Sequence, residues 1–308
     1  MITDFIRKVP YRLLCTATAA PNDYIELGTS SEALGELGYT DMLSQFFIND
    51  QHSISPQRIW GGGTWRFKHY AKGPFWRWVV SWARAMRQPS DLGFPDEGFD
   101  LPPLTMQHTV VKAKTVKQGM LFDVAAIGLR EEREARRRTI NERCAVAATK
   151  VNKSGRAAVM WCHLNDEAST LESMVTDSIQ VSGADTDETK EAKFRDFQTG
   201  NTRVLITKPK IGAYGLNWQH CAHVTYFPSH SYEQYYQAIR RCWRFGQTEP
   251  VIVDLVSTDA DERVVTNLSR KASAADAMFT ELVKYMGHEL TIARQQEYSR
   301  EVEIPSWL

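Results

Sequence analysis

The segment Gln237–Gln247, QAIRRCWRFGQ, holds the residues whose types and spacing most clearly allow chemistry. A helix through this segment places Gln237, Arg241 and Arg244 on one face, at positions i, i+4 and i+7. The planar fork of arginine binds phosphate oxygens through paired hydrogen bonds and stays charged. In nucleotide hydrolysis, such arginines neutralise the charge that develops on the transferred phosphoryl group. The alternative is a surface helix with incidental arginines, which the glycine and glutamine just beyond the second arginine make less attractive.

A glycine-containing loop, Lys208–Gln219 (KPKIGAYGLNWQ), directly follows the apolar run Arg203–Thr207. In α/β sheets, ligands bind beyond the carboxyl ends of the strands. The spacing of Gly212 and Gly215 allows close backbone approach, and the lysines offer contacts to phosphates. Taken alone, this loop is a weak indication of a phosphate site.

Short apolar runs recur through the C-terminal two-thirds of the chain, and most are apolar on both faces. Such runs are typical of strands buried in a parallel sheet. The runs are Ala157–Cys162, a weaker one at Ser178–Val181, Arg203–Thr207, His223–Phe227 and Val251–Val256. Amphipathic stretches separate them and predict helices at Asp166–Thr176, Thr186–Phe197, Tyr232–Cys242 and Asp261–Met286. Strands and helices in alternation predict βαβ units and an α/β fold.

The first hundred residues follow a different pattern. Arg12–Cys15 is predicted as one buried strand, and residues 31–90 as irregular helices. Basic residues and tryptophans alternate in the latter region; the tryptophans are Trp60, Trp65, Trp76, Trp78 and Trp82. Such an arrangement can form a stacking platform for single-stranded nucleic acid. The favoured interpretation is that these aromatics form the core of a small helical subdomain.

Two segments connect the halves of the chain. Leu101–Leu104, LPPL, predicts a linker because each proline restricts itself and the residue before it. Residues 116–150 predict a long helix whose mixed arginine and glutamate face is solvated and ion-paired.

Composition limits the function classes without selecting one. The chain has 308 residues, and its 37 basic and 37 acidic residues give zero net charge, so bulk charge does not indicate nucleic acid. No apolar run approaches the about 18 residues of a membrane span. The five cysteines are scattered, which predicts reduced thiols in a cytoplasmic compartment. A metal site at His220, Cys221 and His223 is disfavoured because no second ligand pair accompanies them.

In their order along the chain, these segments resemble the C-terminal half of superfamily-two helicases and translocases of the Swi/Snf-like branch, in phage or bacterial style. The most specific match is Gln237–Gln247 to the pattern Q-A-x-x-R-x-x-R-x-G-Q. The other matching segments are Thr16–Asn22 (TAT-P-N), Leu101–Leu104 (LPP), Ala158–Cys162 (first strand of the second lobe), Ser182–Ala184 (G-S-T) and Gly212–Gln219 (G-G-x-G-L-N-L). The resemblance implies a RecA-like second lobe with a parallel sheet and an ATP-dependent DNA motor.

The resemblance also implies site residues. Arg241 and Arg244 would be arginine fingers that reach the γ-phosphate of ATP between two lobes, with support from Gln237 and Gln247. The remaining implied residues are Gly215 and Asn217 at the junction of the nucleotide and DNA sites, Thr207, Lys208, Ser182 and Gly183 on DNA backbone phosphates, and Thr16 and Thr18 in coupling. The sequence departs from the family pattern at Trp243, Pro209 and Tyr214.

The same family carries a first lobe with a phosphate-binding loop, G-x-x-x-x-G-K-[ST], and an acidic pair that holds Mg²⁺. Gly61–Gly63 lacks the lysine, and Asp96 and Glu97 lie after the TAT segment rather than before it. We therefore expect ATP and Mg²⁺ as cofactors, with the Mg²⁺ ligands and the first lobe supplied by another fragment, in trans or missing in cis. On this basis the 308-residue chain alone is predicted to have negligible ATP hydrolysis.

Two domains are predicted: residues 1–104 as the end of the first lobe with a helical insertion, and residues 105–308 as the helicase C-terminal lobe. The alternative function is a non-catalytic nucleic-acid-binding or regulatory module derived from such a motor. An unrelated Rossmann-like enzyme is disfavoured because no G-x-G-x-x-G follows a strand.

Overall fold

The computed structural model describes residues 2–6, 8–49, 65–112 and 129–297. Its contacts divide the chain into a first unit, Met1–Gly98 with Lys271–Leu308, and a second unit, Phe99–Arg270. The division therefore falls at Gly98 and Arg270 rather than at residue 104, and the assignment of the two domains to motor lobes stays a prediction. Glycines 61–63 and Trp60 lie outside the described residues.

The first unit is mainly helical. Its helices are α1 (Ile2–Ile6), α2 (Leu27–Leu34), α3 (Tyr39–Phe46) and α4 (Lys72–Trp82), and its strands are β1 (Phe47–Asn49) and β2 (Trp65–Phe67). The two strands pair antiparallel, with Phe47 opposite Phe67. Short 3-10 turns at Tyr24–Glu26 and Pro89–Leu92 complete the described elements of this unit.

The aromatic residues of the first unit form its core. Phe47 stacks on Phe67 with ring centroids 4.6 Å apart, and Phe75 and Trp76 are fully buried. The long C-terminal helix adds Met278, Leu282 and Met286 to the same cluster. The described tryptophans therefore act as core residues, which confirms the favoured interpretation over a stacking platform for nucleic acid.

The prediction of a buried strand at Arg12–Cys15 is wrong. No strand in the described parts of the chain pairs with this segment, and Tyr11 and Leu13 are 91% and 85% exposed. A run that is apolar on both faces becomes a buried strand only where sheet and helices cover both faces. No described element of the first unit provides that cover.

The second unit contains a six-stranded, fully parallel sheet in the order β3-β8-β7-β4-β6-β5. The strands are β3 (Leu104–Val111), β4 (Ala158–Trp161), β5 (Ser178–Gln180), β6 (Val204–Thr207), β7 (His223–Tyr226) and β8 (Val251–Thr258). Every residue of β4, β6 and β7 is buried, as the two-faced apolar runs predicted. The α/β class with a parallel sheet is confirmed, and the arrangement is consistent with a RecA-like lobe.

Helices connect these strands. They are α5 (Leu129–Arg138), α6 (Ile140–Ser154), α7 (Asn165–Met174), α8 (Asp187–Gln198), α9 (Pro209–Gly212), α10 (Tyr232–Ile239) and α11 (Glu262–Glu297), the last preceded by a 3-10 turn at Asp259–Asp261. From Lys271 onward, α11 belongs to the first unit. Among the described residues, no helix combines the length and the apolarity that crossing a bilayer requires.

The structure corrects two sequence predictions in the second unit. The predicted long helix of residues 116–150 is interrupted at Thr139, whose hydroxyl donates to the Ala135 carbonyl at 2.9 Å; residues 113–128 lie outside the described part. Strand β3 was not predicted, because most of this edge strand is exposed and its apolar residues are neither continuous nor regularly alternating. The predicted linker ends where β3 begins, at Leu104.

Candidate phosphate-binding site

The two predicted arginine fingers lie in the turn after α10 rather than on the helix. Helix α10 starts as predicted, with Ser231 Oγ accepting a hydrogen bond from the Gln234 N–H at 3.3 Å. It ends at Ile239, because the N–H groups of Arg241 and Cys242 bond to carbonyls three residues back, at Ala238 and Ile239. The prediction that one helix carries both arginines with Gln237 is therefore wrong, although Arg241 still contacts Gln237.

Three hydrogen bonds to Gln237 and Leu216 hold the Arg241 side chain. Its Nε donates to the Gln237 carbonyl at 3.2 Å, its Nη2 to Gln237 Oε1 at 3.1 Å, and its Nη1 to the Leu216 carbonyl at 2.8 Å. The Arg241 carbonyl in turn accepts from the Trp218 N–H at 2.9 Å. Burial lowers the pKa of Arg241, and the positive charge of Arg244 lowers it further. The side chain stays cationic because arginine titrates far above neutral pH, so it forms a fixed positive charge.

The Arg244 side chain has fewer hydrogen bonds to the protein than that of Arg241. Its Nη1 donates to Asn217 Oδ1, whereas its Nε is buried and has no hydrogen-bond partner in the structure. Buried polar groups almost always have a partner, and an exception needs an explanation. The rest of the guanidinium is half-exposed, so its other donors can reach an anion, whereas Nε itself is shielded from solvent.

The glycine loop supplies the partners of both arginines. Leu216 binds Arg241 and Asn217 binds Arg244. Gly215 has φ of +75°, a left-handed conformation that favours glycine, and the space where its Cβ would stand is open. A Cβ on Gly212 would lie 3.1 Å from Thr207 Cγ2, so a side chain there would fit only if its neighbours moved by a few tenths of an ångström.

Gln247 fixes the turn from inside the protein. The residue is 6% exposed, and its Nε2 donates to the Cys221 and Cys242 carbonyls at 3.0 and 3.2 Å. Its Oε1 accepts from the N–H groups of Thr248 and Glu249, each at 2.9 Å. Gln247 therefore supports the arginines by holding the backbone around them and does not face a ligand.

The predicted DNA-contacting residues lie at the carboxyl ends of β5 and β6. Thr207 is fully buried and its hydroxyl donates to the Val181 carbonyl at 3.0 Å, so its side chain is not presented to a ligand. Lys208 Nζ donates to Asn165 Oδ1. These contacts make Thr207 a positioning residue and leave Lys208 near the surface.

The turn after β5 exposes Gly183. The N–H of Ser182 donates to Asp185 Oδ2 at 2.8 Å, and the Ser182 hydroxyl accepts from the Ala184 N–H at 3.2 Å. A carboxylate thus occupies one of the N–H groups that the prediction assigned to a DNA phosphate.

The predicted coupling residues belong to the first unit. Thr16 Oγ1 accepts from the Thr18 N–H at 3.1 Å, and Thr18 Oγ1 is buried without a partner in the structure. A threonine that bonds to the backbone two residues on forms a local turn. The structure therefore brings together Gln237, Arg241, Arg244, Asn217 and Gln247 in the second unit, whereas Thr16 and Thr18 belong to the other unit.

Sequence reasoning missed a buried ion pair. Arg143 and Glu167 are each 1% exposed and lie 2.8 Å apart between Nη1 and Oε1. Glu167 Oε2 also accepts from the N–H groups of His163 and Leu164, at 2.8 and 2.9 Å, at the start of α7. A glutamate at the third position of a helix is a capping signal that could have indicated its role, but nothing local predicts the arginine partner.

His163 lies beside this pair. Its Nε2 is 3.0 Å from the Phe227 carbonyl oxygen, which requires a proton on that nitrogen. Burial lowers the pKa of His163 to about 4; Arg136 and Arg143 act in the same direction, and Glu167 opposes them. His163 is therefore neutral at neutral pH.

Both ring nitrogens of His223 contact other side chains of the protein. His223 Nε2 is 2.7 Å from Asp254 Oδ2, and its Nδ1 is 3.0 Å from Ser154 Oγ. Cys221 is fully buried. The residues that the structure describes include no group of three or more His, Cys, Asp or Glu that could hold a metal ion.

A comparison with protein families matches the part of the chain that carries Arg241 and Arg244. Residues 139–246 match the family model of the helicase conserved C-terminal domain, and this range includes Arg241 and Arg244. A search of curated proteins found no match. Among solved structures, the chain is similar to the crystal structure of the C-terminal part of Fun30 ATPase domain, with 14% identity and a TM-score of 0.36. That similarity covers 47% of this chain and 54% of the other, so this chain spans about half the length of the structure that it matches.

Proposed function

We propose that this chain is the C-terminal portion, or second motor lobe, of an ATP-dependent DNA helicase or translocase of the Swi/Snf-like branch. The observation that carries the proposal is the fixed Arg241 beside the half-exposed Arg244 at the glycine loop, within a segment that matches a helicase C-terminal domain. Two arginines held side by side at the loop that follows a parallel strand suit the binding of phosphate oxygens.

In this proposal the two arginines have different parts in one site. Gln237 and Leu216 hold Arg241 in place, so its charge is fixed before the nucleotide arrives. Arg244 keeps donors for the γ-phosphate and stabilises the charge that develops there as the phosphoryl group is transferred. ATP would bind with Mg²⁺, which would neutralise phosphate charge, and we assign the residues that would hold the metal to the first lobe.

DNA contacts are assigned to the loops at the strand ends. Lys208 and the Ser182–Gly183 turn would hold backbone phosphates of the DNA, and Thr207 would position Lys208. Thr16 and Thr18 would couple closure of the lobes to DNA movement. The partner is a first-lobe ATPase fragment, on another polypeptide or in a longer form of this one, and the compartment is the cytoplasm, of the host if the gene is carried by a phage.

One sequence observation favours a second candidate. The 308 residues contain no G-x-x-x-x-G-K-[ST] pattern. A non-catalytic nucleic-acid-binding or regulatory module would need none. Against it, such a module has no obvious use for the intact segment that carries Arg241 and Arg244.

The decisive experiment is reconstitution of the two lobes. The chain is mixed with a candidate first lobe that carries the phosphate loop and the acidic pair, for example the product of an adjacent reading frame, and DNA-dependent ATP hydrolysis is measured. We expect negligible hydrolysis by this chain alone and about 1 per second or more for the pair. Fast hydrolysis by this chain alone would contradict the assignment to a second lobe.

Substitution of the fingers then tests the site itself. In the reconstituted pair, Arg244→Ala should lower the hydrolysis rate by about three to five decades while DNA binding persists. Arg240→Ala is the matched control, since the Arg240 guanidinium lies over the Trp243 ring, 4.6 Å from its centroid, and is already occupied. A loss of less than tenfold for Arg244→Ala, or an equal loss for both variants, would remove Arg244 as a finger.

A further inference from the structure

Two phenylalanines of the second unit form an exposed stack. Phe99 and Phe245 are 53% and 62% exposed, and their ring centroids lie 5.3 Å apart at an interplanar angle of 29°. Large apolar side chains are usually buried, and an isolated exposed one needs no explanation. Two rings that stack on each other and still face solvent instead form a flat aromatic surface.

The backbone of Phe245 is fixed by the turn that holds the arginines. The Phe245 carbonyl accepts from Gln219 Nε2 at 3.4 Å, and Gly246 follows it with φ of +88°. The next residue, Gln247, is the buried anchor of the turn. Phe245 is therefore presented outward by an ordered segment, which reduces the entropy lost when a ligand stacks on its ring.

A half-exposed cation directly precedes this ring. Arg244 donates to one protein side chain, Asn217, and keeps further donors for a ligand. Arg240 differs, because its guanidinium lies over the protein's own Trp243 and Tyr236 rings. A ligand that satisfies both Arg244 and the exposed aromatic face must combine negative charge with a flat aromatic group, and a nucleotide has both.

We propose that Phe245, backed by Phe99, stacks on the base of the adenine nucleotide whose phosphates bind Arg244. The inference rests on the proposed function and adds a base-binding surface to it. Aromatic rings bind nucleobases by stacking, with little dependence on hydrogen-bond pattern. The surface therefore raises affinity for any purine nucleotide over bare polyphosphate and does not by itself select adenine.

The test separates the base from the phosphates. ATP and inorganic tripolyphosphate, which lacks a base, are titrated in the absence of DNA into the full chain reconstituted with the first lobe, and the dissociation constants are measured by calorimetry or NMR. Phe245→Ala should weaken ATP binding by about 5- to 100-fold, the loss expected for one base stack, and leave tripolyphosphate within about twofold. Phe245→Tyr should bind ATP like the unaltered chain. Phe94→Ala, which removes another exposed ring (59% exposed), is the matched control and should change neither constant.

The outcomes distinguish this inference from the proposed function. Arg244→Ala should weaken both ligands, and if it does while Phe245→Ala leaves ATP binding unchanged, the stacking inference is overturned and the phosphate site stands. If Phe245→Ala weakens a single-stranded oligonucleotide but not ATP, the ring binds a DNA base and the inference is wrong. If Arg244→Ala changes neither ligand, or ATP does not bind at millimolar concentrations, the phosphate site and the stacking inference both fail.

Discussion

Two arginines of the second unit, Arg143 and Arg244, show how the same residue type is used in opposite ways. Arg143 is 1% exposed and pairs with Glu167 at 2.8 Å. Its Nε donates to Thr139 Oγ1 at 3.2 Å and its Nη2 to the Arg136 carbonyl at 2.6 Å. Arg244 has one protein partner, Asn217, and a buried Nε with none.

The difference identifies which arginine is structural. A buried charge is tolerated when a counter-charge and hydrogen bonds replace its hydration. Arg143 meets this condition within the protein and has nothing left for a ligand. Arg244 does not meet it, so its remaining donors are available. The comparison therefore separates an arginine whose donors are used inside the fold from one that keeps donors towards solvent.

The largest expected effect on the free energy of unfolding comes from substitution of the buried arginine, Arg143. Arg143→Met should lower the free energy of unfolding by about 3–5 kcal/mol, because Glu167 is left charged and buried without its partner. Arg244→Met should change it by less than about 0.5 kcal/mol. Urea unfolding followed by circular dichroism measures both.

A double variant checks the cause of that loss. Arg143→Met combined with Glu167→Gln removes the unpaired charge and keeps an oxygen for the N–H groups of His163 and Leu164. It should recover part of the stability lost in the single variant. Equal losses in the single and double variants would mean that packing, not charge, makes Arg143 important.

The second prediction concerns the turn that holds Arg244. Gln247→Ala should destabilise the protein by about 2–3 kcal/mol, because its buried carbonyl and N–H partners lose their hydrogen bonds. Gln219→Ala, which removes a single 3.4 Å bond to the Phe245 carbonyl, is the control and should cost under about 0.5 kcal/mol. Similar unfolding midpoints for the two variants would show that Gln247 does not anchor the turn.

The third prediction uses pH to probe the surroundings of Arg143. The folded-state pKa of His163 is about 4, below the value of about 6.5 for an unfolded chain. The unfolded chain therefore binds a proton first, and stability should fall by about 1–3 kcal/mol as pH drops from about 6.5 towards 4.

Comparison with His163→Gln isolates this contribution, since carboxylates also titrate at the acid end of the range. The difference in unfolding free energy between the two proteins should change across this pH window and level off above it. A constant difference would show that His163 does not titrate in this way.

The smallest expected effect concerns Lys208. Like Arg244, it donates to one protein side chain, which for Lys208 is Asn165. Lys208→Ala should reduce the slope of log affinity for DNA against log salt by about 0.7–0.9, the value for one phosphate contact. Lys153→Ala, an exposed lysine at the end of α6, is the control and should leave the slope unchanged. An unaltered slope for Lys208→Ala would remove it from the DNA contacts.

Much of the fold was predictable because its signals are local. The runs that became β4 and β6 are apolar at every position or nearly so, and this pattern indicates burial on both faces. Strand β7 is also fully buried, although His223 and Thr225 are polar. The edge strand β3 was missed because its exposed residues break the apolar pattern. Arg12–Cys15 shows the converse: an apolar run stays exposed when no described element covers it.

In the candidate site, too, some features follow from the local sequence and others depend on folding. The sequence by itself determined that Gln237, Arg241, Arg244 and Gln247 belong to one segment, since their spacing is contained in eleven residues, Gln237 to Gln247. Only the tertiary structure decided that α10 stops at Ile239, that Gln247 points inward, and that Arg244 keeps an unpaired Nε. These features depend on carbonyls and side chains from Leu216, Asn217 and Cys221, which lie outside the segment in the chain. Local periodicity carries no information about partners that only folding brings into contact.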